Sequence, residues 1–349
     1  MPDTFSQSSP SLQIAVIYNP EDSNDGPELA LTDSESNLAA AAIANSLRMY
    51  GYQTSTYAVS EKNLYYLKRK KADVFFNMCE REGLYIRVLR QLEKYGRIFT
   101  GTGHDVMKRT LDKIATKKIF EEIGVPTPKW QEFVTGKETP RNDFVYPLIV
   151  KPTKEDCSIG ISPQSIVHNE VEMFHLMEQI QTSYKQSAIV EEFIPGKEFH
   201  CTIIGNGKEA EVLPLAELEF PINFQHDDNF IFDYEAKWVE TSPRHVSNFI
   251  SPAPSMDPNI AAQVQRDAKR AFLALGMKDY ARFYIRFNTK AKQWYFLEAN
   301  ANPSIENMQN EATVKSAEAR GMQYHEFIRN IVESCVQRTY IQQPKAIIS

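Results

Sequence analysis

The chain lacks long apolar runs and has fewer basic than acidic residues. No uninterrupted apolar segment among its 349 residues approaches the roughly 20 residues that a membrane-spanning helix requires. Its formal net charge is −6, and an acidic balance does not favour binding to nucleic acid or to an anionic membrane surface. We therefore expect neither a nucleic-acid partner nor a membrane partner.

Cysteine is scarce and shows no metal-binding spacing. The four cysteines are scattered without a CxxC pair or a zinc-type arrangement: Cys79, Cys157, Cys201 and Cys335. Such a distribution is typical of free thiols in a reducing compartment. Residues 1–11 are polar and have no apolar core, which favours a disordered tail over a signal peptide. The sequence therefore predicts a soluble cytoplasmic protein.

Short apolar runs alternate with helical patterns in the first third of the chain. Strands that alternate with helices favour parallel βαβ units, so residues 12–111 are predicted to form an N-terminal α/β domain. The predicted elements are strands at residues 12–18, 54–58, 72–77 and 97–100, a helix that begins at Asp33 or Ser34 and reaches residue 50, and a helix at residues 85–95.

Beyond residue 111 the predicted strands and helices no longer alternate regularly. A helix over residues 111–123 ends at Gly124, since Pro126 and Pro128 forbid its continuation. We predict a small central α+β lobe over residues 112–195 and a C-terminal lobe over residues 196–349. The predicted elements are strands at 131–134, 146–151, 188–194 and 199–205, helices at 170–182 and 257–275, a hairpin at 280–300, two C-terminal helices, and a long loop at 221–233.

The stretch from Trp294 to Pro303 puts a carboxylate and an amide at the end of an apolar strand. Glu298 and Asn300 are two residues apart, so both side chains face the same side of the strand. Hard cations such as Mg²⁺ prefer oxygen ligands, usually shared with substrate phosphates. The alternative is an edge strand with two solvated polar residues, and this motif alone does not decide between the two.

Charged residues also interrupt other apolar runs. Lys151 ends the strand at 146–151, and burying an ammonium group is costly without an anion, although a lysine at a strand end can also extend into solvent. The turn at residues 153–160 could offer backbone N–H groups to a phosphate, and Lys113 could meet the same phosphates. Further along, Glu191 or Glu192 could lie beside an adenine, with Glu198 near ribose hydroxyls; paired surface carboxylates are the alternative.

These motifs occur together in the order found in ATP-grasp ligases, and the chain most resembles the D-alanine–D-alanine ligase branch. The resemblance covers residues 73–305 and implies an α/β ATP-grasp fold: an N-terminal Rossmann-like domain, a small central α+β lobe and a C-terminal α+β lobe. The segments that carry it are Lys113, LIVKP at 148–152, VEEFIPGKEF at 190–199, YEAK at 234–237, Ala281-Arg282, LEAN at 297–300, GVPTPKW at 124–130 and FTGTG at 99–103.

The resemblance also implies the cofactors ATP and Mg²⁺, and a reaction. An acceptor oxygen, typically a carboxylate, is phosphorylated, and an amine then displaces the phosphate to form a C–N bond. The implied roles are phosphate binding for Lys113, Lys151 and Lys237, adenine binding for Glu191, Glu192, Phe193 and Ile194, ribose binding for Glu198, Mg²⁺ binding for Glu298 and Asn300, and catalysis for Arg282, Lys237 and Ser158.

The chain departs from the branch at places that bear on the first substrate. Tyr284 stands where an acidic metal ligand is typical, Cys157 replaces the first serine of a Ser-Ser pair, and Trp238 replaces a tyrosine after Lys237. The Gly-Gly-x-Ser-x-Glu element that binds the first alanine is absent, and residues 19–25 take its place. We therefore predict a product other than D-alanyl-D-alanine.

A remodelled first-substrate site resembles ligases of natural-product pathways, in particular those that add serine or threonine to mycosporine-glycine. The predicted partners are a small-molecule acceptor and an amino acid, and the resemblance implies a homodimer. The substrate contacts expected are Arg282, Ser304, Glu306, Trp238 and Cys157. Two alternatives stay open: a cell-wall dipeptide ligase, and a catalytically silent nucleotide-binding protein, which the tyrosine at position 284 suggests.

Overall fold

The structure is a computed structural model that describes residues 12–20, 36–81, 83–305 and 311–342. The predicted tail at residues 1–11 and the predicted caps Asp33 and Ser34 lie outside these ranges. The strands are β1 (Gln13–Tyr18), β2 (Gln53–Ala58), β3 (Val74–Asn77), β4 (Trp130–Phe133), β5 (Leu148–Pro152), β6 (Ile166–Val167), β7 (Ala188–Glu192), β8 (Lys197–Gly205), β9 (Glu211–Val212), β10 (Ala216–Leu218), β11 (Phe249–Ile250), β12 (Asp279–Asn288) and β13 (Gln293–Asn300).

The α-helices follow the same chain order. They are α1 (Ser36–Arg48), α2 (Tyr85–Lys94), α3 (His104–Leu111), α4 (Lys113–Glu122), α5 (Glu170–Tyr184), α6 (Tyr234–Trp238), α7 (Pro258–Leu275), α8 (Ala312–Ala319) and α9 (Tyr324–Gln342). None of the helices in the described ranges is long and apolar enough to cross a lipid bilayer.

The described residues divide into two compact units. The first comprises residues up to His104 together with those from Met322 onward, and it contains a parallel sheet in the order β2-β1-β3. The central strand β1 is buried through Ile14, Ala15, Val16 and Ile17, as expected for a parallel strand covered on both faces. The α/β prediction for this part of the chain is confirmed.

Two details of the first unit differ from the sequence prediction. The strand predicted at residues 97–100 is reduced to a single parallel bridge between Phe75 and Phe99, since Gly96 and Gly101 take positive φ on either side of it. Helix α9, which the sequence analysis assigned to the C-terminal lobe, packs on α1 and β3. It is held there by apolar side chains that are fully buried, among them Phe327 and Ile331.

The predicted helix over residues 111–123 is in fact two helices, α3 and α4. The break falls at Asp112, whose backbone is extended (φ −82°, ψ 103°) and whose carboxylate accepts a hydrogen bond from the Ala115 N–H at 3.0 Å. An aspartate in this position caps the N-terminus of a new helix. The cap places Lys113 in the first turn of α4.

The second unit, Asp105–Gly321, contains two antiparallel sheets. The smaller has the order β4-β7-β5-β6 and is packed on one side by α5. The larger has the order β11-β10-β8-β12-β13, with β9 added at β8. The chain passes from one sheet to the other between β7 and β8, where Gly196 has φ +122° and a side chain would overlap the carbonyl oxygen of Phe287. This turn therefore requires glycine.

Candidate functional site

The larger sheet of the second unit has one polar face, and its register explains why. Along β12, Arg282 lies opposite Thr202 and Asn300, Tyr284 lies opposite His200 and Glu298, and Arg286 lies opposite Glu198. Alternate residues of a strand point to the same side, so these side chains share one face of three adjacent strands. The residues between them on β8 and β12 are apolar and buried on the other face: Phe199, Cys201, Ile203, Ala281, Phe283 and Ile285.

A bulge in β13 keeps the two predicted metal ligands on the polar face. The register between β12 and β13 shifts after Tyr284, so that Ile285 pairs with Phe296 and Leu297 is the extra residue. A bulge of this kind re-aims the side chains that follow it. Glu298 and Asn300 therefore lie opposite Tyr284 and Arg282, and they share one face of the strand, as the i, i+2 spacing predicted.

A cavity of about 690 Å³ lies within the second unit, between the end of the smaller sheet and the polar face of the larger one. We call it the main cavity, and both apolar and charged side chains line it. Apolar side chains on one wall are Ile149, Ile194, Ile231 and Phe193. The predicted site residues that line it are Lys151, Cys157, Ser158, Glu191, Glu192, Phe193, Ile194, Glu198, Lys237 and Glu298.

Glu191 sits at the centre of a buried charge cluster. Its Oε2 lies 3.2 Å from Nζ of Lys151 and 3.2 Å from Nζ of Lys117, while its Oε1 is buried and has no hydrogen-bond partner within the described residues. Burial alone would raise the pKa of Glu191, but the two ammonium groups hold it below its ordinary value. Glu191 thus presents an ionised, unpaired acceptor oxygen in the lining of the main cavity.

Lys117 is the most deeply buried of these lysines. Its Nζ also donates to Thr127 Oγ1 at 2.9 Å, and Thr127 in turn donates to the carbonyl of Phe296 at 2.8 Å. Burial lowers the pKa of Lys117 to about 8, although the adjacent Glu191 acts in the opposite direction. Lys117 consequently joins α4 to β7 and β13 through polar contacts alone.

Glu198 is the second buried carboxylate of the main cavity. Its Oε1 lies 3.6 Å from His200 Nε2 and its Oε2 lies 3.7 Å from an Arg286 nitrogen. Burial would raise the pKa of Glu198, but His200 and Arg286 hold it below its ordinary value. Burial likewise lowers the pKa of His200 to about 4, so the imidazole is neutral at neutral pH.

Lys113, Glu298 and Asn300 line a second cavity of about 470 Å³, which shares Asp156 and Tyr284 with the main one. Nζ of Lys113 is 3.5 Å from Oε1 of Glu298. Burial would lower the pKa of Lys113, but Glu298 and Asp156 raise it above its ordinary value, so the lysine is charged. The cavity thus combines one ammonium group with carboxylate and amide oxygens.

The donor set fits Mg²⁺ shared with phosphate oxygens. Across the described ranges, no three His, Cys, Asp or Glu residues are grouped so that they alone could hold a metal ion. Mg²⁺ is usually bound by one or two carboxylates and completes its shell with water and substrate phosphates. Glu298 and Asn300 match that incomplete set, and the lysines nearby match the phosphates.

The predicted phosphate loop makes two hydrogen bonds in this region, one with helix α6 and one with Phe232, which precedes that helix. Ser158 Oγ donates to the carbonyl of Phe232 at 2.9 Å, and Trp238 Nε1 donates to the carbonyl of Cys157 at 2.9 Å. Cys157 and Ser158 both have positive φ (55° and 62°), which is unusual for residues with a side chain. This left-handed pair forms the tight turn at the edge of the main cavity.

Helix α6 carries Lys237 into the main cavity and is fixed at its start by Asp233. The buried carboxylate of Asp233 accepts hydrogen bonds from the Ala236 N–H at 2.8 Å and from Arg244 at 2.9 Å. The Arg244 guanidinium also packs over the rings of Phe224 and Phe230. The predicted loop at 221–233 is therefore ordered around this arginine.

Arg282 has most of its guanidinium occupied by protein partners. It donates to the Tyr284 hydroxyl at 2.6 Å, to Glu311 at 3.0 Å and to Thr313 Oγ1 at 3.2 Å, while its Nε is buried without a partner in the described residues. Because the Tyr284 oxygen accepts from a cation, a divalent cation at that oxygen would be repelled. Tyr284 is therefore a poor metal ligand in this arrangement.

The structure says less about the remaining predicted substrate contacts, Ser304, Glu306 and residues 19–25. Ser304 is half-buried four residues beyond Asn300, and Glu306 lies outside the described residues. Of the segment predicted to replace the first-alanine element, residues 21–25 lie outside the described residues, while Asn19 is buried and donates to the Val59 carbonyl at 3.0 Å. Asn19 thus has a structural contact in the first unit.

Sequence reasoning missed Lys117, Arg286 and the partners of Arg282 on helix α8. The sequence did contain a spacing signal for Lys117 and for Arg286. Lys117 is four residues after Lys113, which puts both on the same face of a helix, and Arg286 is four residues after Arg282, which puts both on the same face of a strand. Glu311 and Thr313 gave no comparable signal, since they reach the sheet from a separate helix.

Comparisons with known proteins agree with this architecture. The family model described as the D-ala D-ala ligase C-terminus matches residues 119–333, more than half of the chain. The chain is 30% identical over 280 residues to the uncharacterized protein y4sG of Sinorhizobium fredii, covering 78% of this chain and 77% of that protein. It is 29% identical over 295 residues to the D-alanine–D-alanine ligase of Verminephrobacter eiseniae, covering 83% of each.

Solved structures of similar fold include the D-alanine–D-alanine ligase from Bacillus anthracis. Its complex with ATP superposes with a TM-score of 0.72 at 21% sequence identity, covering 95% of this chain and 100% of that one. A second structure of the same ligase gives a TM-score of 0.74 at 22% identity. At this level of identity the likeness concerns the fold.

Proposed function

The chain belongs to the family defined by the C-terminal domain of D-alanine–D-alanine ligases and is an ATP-grasp ligase, and on that premise we propose that it joins an activated acceptor to the amine of an amino acid, releasing ADP and phosphate. The observation that carries the proposal is the mixed chemistry of the main cavity's lining. Buried carboxylates and apolar side chains form one set, called the carboxylate end, and the ammonium groups of Lys151 and Lys237 form the other, called the lysine end. The two sets adjoin where Lys151 lies 3.2 Å from Glu191.

The carboxylate end suits an adenine nucleoside. Glu191 Oε1 is an ionised acceptor without a partner in the described residues, and burying such an atom costs free energy unless a donor reaches it. The amino group of adenine is a donor of the right kind, and the apolar side chains of Ile149, Phe193 and Ile194 suit the faces of the base. Glu198 is the carboxylate that would accept from ribose hydroxyls.

The lysine end suits a polyphosphate. Lys151 and Lys237 line the main cavity and Lys113 lines the adjoining one, and the loop at Cys157 and Ser158 lies between them. Glu298 and Asn300 would hold the Mg²⁺ of Mg·ATP, which would supply the phosphoryl group that activates the acceptor oxygen. The lysines neutralise charge that develops on the transferred group, which is the main protein contribution to such reactions.

Arg282 and helix α6 have separate tasks in the proposed reaction. The unpaired Nε of Arg282 is a fixed donor for an oxygen that carries developing negative charge, and the contacts to Tyr284 and Glu311 hold it in place. The contacts from α6 to the phosphate loop cover the activated group. Covering it excludes water that would otherwise hydrolyse the activated acceptor.

The first substrate is proposed to differ from D-alanine. Tyr284 and Phe232 line the main cavity, and the Tyr284 ring packs edge-on against the His200 ring with the ring centres 4.3 Å apart, so aromatic side chains contribute to the lining beside Lys237. This environment favours a flat acceptor, and the specific candidate is a cyclohexenone such as mycosporine-glycine condensed with serine or threonine.

D-Alanyl-D-alanine synthesis is the second candidate, because relatives named as D-alanine–D-alanine ligases match more than four-fifths of the chain. A phosphate-release assay separates the two. Mg·ATP is supplied with D-alanine alone, with pairs of amino acids, and with mycosporine-glycine plus serine or threonine. Release that requires the cyclohexenone and an amino acid supports the first candidate, and release with D-alanine alone supports the second.

The same assay tests the ligase proposal as a whole. Lys151→Met should abolish release, whereas Lys137→Met, at an exposed lysine that follows β4, should leave it near the wild-type rate. ATP binding without release under every condition would contradict the ligase proposal and favour a silent nucleotide-binding protein.

A further inference from the structure

Arg286 makes an unusual set of contacts at the carboxylate end of the main cavity. Its side chain is buried, and its nitrogens donate to three main-chain carbonyls: to Ile194 at 3.1 Å, to Phe230 at 2.9 Å and to Asp228 at 3.2 Å. The same guanidinium lies 3.7 Å from Glu198 Oε2.

These partners belong to three separate pieces of chain. Ile194 follows β7 in the connection between the two sheets, Asp228 and Phe230 belong to the loop that leads into helix α6, and Glu198 is on β8. The Gly196 N–H donates to the Asp228 carbonyl at 2.7 Å, so the connection and the loop already touch there. The planar fork of Arg286 adds bonds in fixed directions, which a single ammonium group could not reproduce.

The position of Arg286 relative to the cavity is equally specific. Arg286 lines the main cavity beside Phe193, with its guanidinium carbon 5.7 Å from the centre of that ring. Phe193 and Ile194 form the wall proposed to contact the base, and Glu198 is the carboxylate proposed to contact the ribose. Arg286 is therefore in contact with the protein groups proposed to bind the nucleoside, and it does not line the adjoining cavity that Lys113 lines.

We propose that Arg286 is a positioning residue for nucleoside recognition, which holds the Ile194 connection, the loop at 228–230 and the Glu198 carboxylate in the arrangement that accepts the base and ribose. This inference rests on the proposed nucleotide-binding function. It predicts that loss of Arg286 weakens binding of the nucleoside part of a ligand and spares binding of the phosphate part.

The experiment compares two ligands on matched variants by titration calorimetry. ADP carries the base, the ribose and phosphates, whereas inorganic tripolyphosphate carries phosphates alone. Arg286→Met removes every donor, Arg286→Lys keeps the charge but loses the fork, and Arg266→Met, at an exposed position on α7, serves as control. We expect Arg286→Met to weaken ADP binding at least tenfold, Arg286→Lys at least threefold, and both to bind tripolyphosphate within twofold of wild type.

An equal loss for both ligands in Arg286→Met, or full recovery of ADP binding in Arg286→Lys, would overturn the inference, because either would mean that charge alone matters. A second readout does not depend on a ligand. The Gly196 amide should exchange its hydrogen faster in Arg286→Met than in the control, and unchanged exchange would overturn the inference while leaving the ligase proposal intact. Wild-type protein that binds no ADP would overturn both.

Discussion

His200 is buried on the polar face of the larger sheet with the ring of Tyr284 on one side and that of Phe249 on the other. The charged groups around it are Glu198, Arg282 and Lys237. Its pKa is lowered to about 4 by burial, whereas the ordinary value is 6.5. Between pH 6.5 and pH 4, His200 is therefore protonated in the unfolded chain and neutral in the folded protein.

This difference predicts a loss of stability in acid. The free energy of unfolding should fall as the pH drops from 6.5 towards 4, by about 2 kcal/mol between pH 7 and pH 5 from this histidine alone. Urea unfolding of wild type and of His200→Phe at both pH values tests the prediction. The variant should show a smaller drop than wild type, and equal drops would mean that His200 does not titrate as described.

In the buried cluster around Glu191, we expect substitution of the carboxylate to cost more stability than substitution of one of the two lysines. Glu191→Gln leaves the ammonium groups of Lys117 and Lys151 buried without their shared anion, and breaking a buried ion pair in this way costs about 3–5 kcal/mol. Lys117→Met leaves Glu191 paired with Lys151 and removes a charge that is itself costly to bury. Urea unfolding should show a loss for Lys117→Met of less than half that for Glu191→Gln, and equal losses would contradict the shared-anion arrangement.

At the scale of elements, one of the hydrogen bonds between the phosphate loop and the segment that contains α6 is donated by an indole. Trp238→Phe removes the hydrogen bond to Cys157 and keeps an aromatic ring. Helix α6, which we propose covers the reacting end, should then be held less firmly against the phosphate loop. A hydrogen bond of about 1 kcal/mol corresponds to roughly a fivefold change, and we expect kcat/KM for ATP to fall by about that factor.

Trp294→Phe is the matched control for that substitution. Its Nε1 also makes one hydrogen bond, to Asp267 on α7 at 3.1 Å, and neither residue lines either described cavity. Steady-state kinetics should therefore show little change in the control. A similar loss of kcat/KM in both variants would indicate a general effect of losing an indole. It would contradict a specific role for the hydrogen bond between Trp238 and Cys157.

The elements that the sequence predicted correctly share strong local signals. Apolar runs marked β1, β5, β7 and β8, and the helix predicted at residues 257–275 is α7. The two departures have weak local signals: the run at 97–100 is flanked by glycines, and the boundary between α3 and α4 depends on a single cap at Asp112. Helix α9 was recognised as a helix, but its packing partners are far away in the sequence and left no trace in the local pattern.

At the scale of the site, the sequence showed which residues of one strand share a face, but it did not show which strands pair. The spacing of Glu298 and Asn300 predicted a shared face, which the register of β13 confirms. That Tyr284 would meet His200 depends on which strands are neighbours, and one sequence does not show this. The same holds for Lys117, whose charge is meaningful only because Glu191 approaches it from another element.

At the scale of the whole molecule, the described residues that line both cavities belong to the second unit, Asp105–Gly321. A ligand that binds only folded protein stabilises it by about 2.7 kcal/mol at a hundredfold excess over its Kd. ADP should therefore slow amide hydrogen exchange in β5, β7, β8 and β12 and leave exchange in β1, β2 and β3 unchanged.

Hydrogen exchange measured peptide by peptide, with and without ADP and Mg²⁺, tests this expectation. Lys151→Met is the control, because it removes a cavity lysine and should weaken the protection in all four strands together. Protection that appeared equally in the first unit would contradict the assignment of the nucleotide to these cavities, since strands without a lining residue would then respond as strongly as those that supply the carboxylates and lysines.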